Sequence, residues 1–179
     1  MIVLGLDLAT QTGWAVGSPG SSPIFGSFRL PKTGNDVGEF LLAYWAELGR
    51  LVKDHQPQIV TFEAPLFMVR GNSNAMTAYK LMSLAGLTEF FCKAKGIQVF
   101  DADQQTVKKH FTGKGNFGKP KSAAGIADYP PYIVCHNRGW MVANTDEADA
   151  CSVWDFACYH ADPKAARQND PLALAAGGW

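Results

Sequence analysis

Residues 2–17, IVLGLDLATQTGWAVG, decide how the chain is read. Ile2, Val3, Leu4 and Leu6 form a short apolar run that closes on one carboxylate, Asp7, and Trp14-Ala15-Val16 resumes the run after a polar turn. The pattern predicts two strands joined by the turn 9–13, with the first strand central and buried. An acid on a buried strand is unfavourable unless a cation or hydrogen bonds offset its desolvation. The plainer reading is a turn or cap aspartate. The choice depends on which other acids the fold brings to the same place.

Outward from this stretch, residues 24–30 (IFGSFRL) read as a third strand. Between 36 and 54 the apolar residues Val37, Phe40, Leu41, Tyr44, Trp45, Leu48, Leu51 and Val52 recur at three and four. That spacing predicts an amphipathic helix capped by Asp36 and ended at Gln56-Pro57. Residues 58–63 (QIVTFE) repeat the logic of the first strand, an apolar run closing on Glu63 before Ala64-Pro65. Residues 75–95, after Asn74 as cap, are apolar almost all round, so this helix is buried on more than one side, by the domain or by a partner chain. Gly96 stops it and residues 97–100 read as a fifth strand. A short helix starting at Asp103 or Thr106 then leads into a glycine-rich basic loop, 112–119 (TGKGNFGK).

Residues 120–141 read as partly helical but interrupted by Pro120, Gly125, Pro130 and Pro131. Asn144 or Thr145 caps a last helix from Asp146 to about His160. The order predicts an α/β domain over residues 1–162, a mixed five-stranded sheet with helices on both faces. Residues 163–179 lack periodicity and are expected to be a loosely held tail.

At 179 residues the chain suits one domain, and 47% hydrophobic with 18% charged residues is ordinary for a globular protein. No apolar run reaches the roughly 18 residues of a membrane helix, and no signal-peptide pattern precedes the first strand. A cytoplasmic protein is the expectation. Cys92, Cys135, Cys151 and Cys158 show no CxxC pairing and no histidine at ligand spacing, so reduced structural thiols are expected rather than zinc. Net charge is zero, yet residues 70–121 carry Arg70, Lys80, Lys93, Lys95, Lys108, Lys109, Lys114, Lys119 and Lys121 against Glu89, Asp101 and Asp103. One positive face on a neutral molecule follows.

Asp7 and Glu63 each end a strand, and Asp146 and Asp149, three apart, share a face of the last helix. Singly, the two aspartates are ordinary helix-start acids favoured by the dipole, and Glu63 an ordinary strand-end residue. Together, four converging acids repel unless hard cations neutralise them, and oxygen-only ligation suits magnesium or manganese. Two such ions can activate a water and stabilise the leaving oxygen of a phosphodiester attack. Glu147 lies about 100° round the helix from Asp146 and is expected to be dispensable. No GxSxG or GxxxxGK[ST] motif offers a competing chemistry.

These residues carry a resemblance. Asp7 in GLDLATQTGWAV, Glu63 in FEAP, and Asp146 and Asp149 in DEADA resemble the acidic tetrad of RuvC-type Holliday-junction resolvases, a branch of the ribonuclease H-like superfamily with phage and prophage members. VKKHFTGKGNFGK resembles the family's basic segment, whose two lysines eleven apart contact DNA and map onto Lys108 and Lys119. The resemblance implies a ribonuclease H-like fold and a homodimeric, magnesium-dependent endonuclease with two ions per site, cutting branched DNA symmetrically. Phe67 matches the family's junction-probing aromatic approximately; a core phenylalanine under its loop is the alternative. The family's unbroken helix after the second lysine is here replaced by Pro120 and Tyr129-Pro130-Pro131. A related nuclease acting on ribosomal RNA precursors and a non-catalytic nucleic-acid-binding module are the rival readings.

Overall fold

The computed structural model describes residues 1–65, 75–120 and 122–168. Strands β1 (Val3–Asp7), β2 (Gln11–Gly17), β3 (Ile24–Arg29), β4 (Ile59–Glu63) and β5 (Gln98–Ala102) form one mixed sheet in the order β3-β2-β1-β4-β5. The first three pair antiparallel, whereas β1, β4 and β5 run parallel. Parallel neighbours need crossovers, and α1 (Val37–His55) and α2 (Ala75–Lys95) supply them. Asp36 caps α1 by accepting from the Glu39 amide at 2.9 Å. Buried Tyr44 and Thr88, their hydroxyls 2.7 Å apart, pin α1 to α2.

Strand alternation assigns the two faces. Leu4, Leu6, Val60 and Phe62 point to one side and pack with Phe40, Tyr44, Leu48 and Leu51 of α1 and Leu84 and Phe91 of α2. Val3, Ala15 and Ile59 point to the other, against Ala150, Trp154 and Cys158 of α5 (Thr145–Ala161). With a period of two, Asp7 shares the side of Val3, and Glu63 shares the side of Ile59. Leu6 pairs with Phe62 across the ladder, so the two acids occupy the next rung. Both therefore look toward α5.

Residues 122–141 are more regular than the prolines suggest. A short 3-10 helix, Ala123–Asp128, leads into α4 (Pro130–Asn137), in which the prolines occupy the first turn, where a missing N–H removes no helical bond. Asp103 caps α3 (Gln104–Thr112), accepting from the Thr106 amide at 2.8 Å. Beyond α5, Pro163–Gln168 forms a further helix, α6; Ala166 packs against the α5 core and Arg167 donates to the Tyr159 hydroxyl at 2.6 Å. All four cysteines are free and buried. Among the described residues no helix is long and apolar enough to cross a membrane.

Candidate active site

The sheet and α5 bring the predicted acids together around an unexpected centre. Lys119 extends its ammonium to Asp7 Oδ2 at 2.9 Å, Asp146 Oδ1 at 3.0 Å and Asp149 Oδ2 at 2.9 Å. Asp7 arrives from the end of β1, the two aspartates from the first turns of α5, and Lys119 from the loop after α3. Glu63, on the next strand, makes no ion pair with Lys119 but feels the charges of Asp7 and Asp149, and Gln104 donates to its Oε2 at 2.9 Å. Lys108 is buried beside the same carboxylates, its ammonium 3.5 Å from the Phe117 carbonyl and 5.1 Å from the centre of that ring. Phe67 lies outside the described residues.

The cluster is short of positive charge. Burial, then the charges of Asp7 and Asp149, push the Glu63 carboxyl up to about 8. Burial raises Asp7 to about 6 although Lys119 pulls it down, and Asp149 is raised for the same reasons. Burial alone would lower the Lys119 ammonium; the carboxylates outweigh it and hold the proton firmly. Oxygen-only donors with unspent negative charge fit a divalent metal. Among the described residues, however, no three His, Cys, Asp or Glu side chains are gathered as a ready metal cage; the aspartates meet around the ammonium.

Stability should follow from these shifts. Glu63 and Asp7 bind their protons more tightly in the folded chain than at their ordinary values of 4.5 and 3.8. Their contribution is full below those values and lost as pH rises through about 6 and about 8. Metal-free protein is therefore expected to melt at progressively lower temperature from about pH 4.5 to 8. Calorimetry with and without divalent metal checks this: metal should restore most stability at the alkaline end, where the carboxylates are ionised.

No family model matches the chain. Among curated proteins, the crossover junction endodeoxyribonuclease RuvC of Zymomonas mobilis is 31% identical over 166 residues, covering 89% of this chain and 92% of that protein. This chain belongs to the RuvC family. The RuvC of Rickettsia akari is 26% identical over 163 residues, covering 89% of this chain and 97% of its own. In fold, the chain is similar to Thermus thermophilus RuvC, with a TM-score of 0.63 at 20% identity over 90% of this chain and 96% of that one. A structure of the same protein in complex with Holliday junction substrate gives 0.64 at 16% identity, with the same coverage. The yeast mitochondrial Holliday junction resolvase Ydc2 gives 0.54 at 12% identity, over 98% of this chain and 84% of that one.

Three supporting residues of this RuvC-family chain escaped the sequence reading. Tyr129, buried in the proline-broken segment, donates its hydroxyl to Asp149 Oδ1 at 2.7 Å. Gln104 fixes Glu63. Glu147, expected to be dispensable, is instead buried: it accepts from the Ala143 amide at 2.7 Å, Asn144 Nδ2 at 3.0 Å and the Ser27 hydroxyl at 3.2 Å. Asn144 in turn accepts from the Glu147 amide at 2.9 Å, a reciprocal cap at the helix start that carries both aspartates. The sequence carried a signal for it: Asn three residues before Glu. For Tyr129 there was none, because the contact is tertiary. Tyr129→Phe should leave Asp149 with one fewer donor and reduce turnover about 10–100-fold with substrate binding unchanged; equal losses in both would mark Tyr129 as a packing residue.

Proposed function

We propose that this chain is a divalent-metal-dependent endonuclease that resolves four-way DNA junctions. The observation that carries the reading is the convergence of Asp7, Glu63, Asp146 and Asp149, from two adjacent strand ends and one helix, beside Lys108 and Lys119. A purely binding module gains nothing from four acids facing a phosphate. Asp7, Asp146 and Asp149 would hold the metal with Glu63 completing the set; magnesium, with manganese able to substitute, suits these donors, and four carboxylates suffice for two ions. When bound, the metal supplies an activated water and charge neutralisation at the scissile phosphate.

The chain's own groups do the rest. Tyr129 and Gln104 fix the carboxylate rotamers, and the capped start of α5 sets the spacing between Asp146 and Asp149. Lys108 and Lys119 supply positive charge for the DNA backbone, which positions a strand without reading its sequence. The relatives named crossover junction endodeoxyribonuclease, and the Thermus RuvC described in complex with Holliday junction substrate, support branched DNA as substrate. A homodimer would set two such sites against two strands. The face of α1 and α2 that presents Leu42, Trp45, Tyr79 and Phe90, all exposed, supports that arrangement, with Trp45 and Phe90 ring centres 6.4 Å apart.

Cleavage of synthetic four-way junctions, forks, linear duplex and structured RNA, with and without magnesium, tests the reading. Magnesium-dependent paired nicks in the four-way junction alone are expected. Preferential cutting of RNA would transfer the same site to an RNA substrate.

A further inference from the structure

Lys119 holds two roles that cannot be filled at once. Its ammonium lies within 3.0 Å of oxygens from Asp7, Asp146 and Asp149, the same carboxylates that the functional reading gives to the metal. Magnesium binds carboxylate oxygens at about 2.1 Å, so an ion on any of these oxygens would lie within roughly 5 Å of the ammonium. At that distance like charges repel strongly in a half-buried site. The lysine is also built to leave. Its side chain is 41% exposed where that of Asp149 is 4% exposed, so the side chain that carries the paired ammonium keeps a path to solvent. Gly118, next to it, has open space where a Cβ would stand, and Gly113, which ends α3, sits at φ +76°. Between them Phe117 anchors the loop edge-on against Tyr129, ring centres 5.6 Å apart.

Resting on the proposed function, we propose that Lys119 and the divalent cations are alternating occupants of one carboxylate cluster, and that metal binding expels the lysine toward the DNA backbone. The metal-free site is thus partly neutralised by its own lysine and holds back one of its phosphate-binding groups. Loading with metal both completes the site and releases that group, so metal and junction binding reinforce each other through Lys119.

Two measurements test this. In the wild-type protein, acetylation of lysine amines followed by mass spectrometry should show Lys119 protected without metal and modified at least fivefold faster with Ca2+ or Mn2+. Exposed Lys114 should be unaffected by the metal. Unchanged or greater protection of Lys119 on adding metal overturns the proposal. In Lys119→Met, Mn2+ binding followed by electron paramagnetic resonance should tighten at least tenfold, whereas Lys119→Arg, which keeps the charge, should bind no tighter than wild type. Equal or weaker Mn2+ binding by Lys119→Met also overturns it. Failure of the wild type and both variants to bind Mn2+ at all would remove the metal site itself, and with it the function proposed above.

Discussion

Asp7→Asn protein is expected to bind a four-way junction as well as the wild type or better, and to cut it more than a hundredfold more slowly. The loss should exceed the roughly 10–100-fold typical of removing a mere supporting partner of a metal ligand, because Asp7 is itself proposed as a ligand. β1 is the central strand, and Asp7 faces α5 by the same alternation that buries Val3. The substitution should not unfold the chain. Burial lifts the Asp7 carboxyl to about 6, so above that pH its ionisation works against the metal-free fold. The asparagine variant should therefore melt at or above the wild-type temperature at pH 8 without metal. Melting curves, filter binding and a cleavage time course separate these effects; undiminished metal-dependent cutting by pure variant would remove Asp7 from the chemistry.

Gly13→Ala is expected to damage both stability and activity. Gly13 pairs with Asp7 across the β1–β2 ladder, directly beneath the first turn of α5. A Cβ there would sit 1.9 Å from the Asp146 carbonyl oxygen and 2.5 Å from its carbon. The obstacle is helix backbone, so relief requires α5 to lift at the end that carries Asp146 and Asp149. Overpacking of this kind costs about 1–3 kcal/mol, occasionally more. For a chain of this size that lowers the melting temperature by roughly 2–12 °C. Cleavage should fall further than stability explains, since the aspartates move relative to Asp7. Gly49→Ala, on α1, is the control: its Cβ meets nothing within 4 Å and should be neutral or mildly stabilising. A Gly13→Ala protein with wild-type melting and wild-type cleavage would mean that α5 is not seated where it is described.

The acids were legible because their signals are local. Two continuous apolar runs, each ending on a carboxylate, become adjacent parallel strands with both acids on one face. Asp146 and Asp149, three apart on a helix, must share a side. The groups that answer those acids were not legible, because each comes from a loop or a broken segment with no periodicity. Lys119 could be read as a basic residue but not as the partner of three aspartates 27 to 112 positions away. Tyr129 sat among prolines that read as interruptions, whereas in the fold they start α4. For Glu147 the helical angle was read correctly and its consequence was not: pointing away from Asp146 means pointing at Ser27 of β3 and the Ala143 amide, not at water. The apolar circumference of α2 left domain core and partner chain both open; Phe91 and Cys92 are buried while Tyr79 and Phe90 remain exposed, so the helix serves the core on one side only.

The carboxylates of β1, β4 and α5 are proposed to form one divalent-metal site. Crystals of the wild-type protein soaked in manganese, with anomalous diffraction recorded at the manganese edge, test it directly. Anomalous density is expected to touch the carboxylates of Asp7 and Asp149, with the Lys119 ammonium withdrawn from them. Manganese bound elsewhere, with Lys119 still paired to all three aspartates, would contradict it.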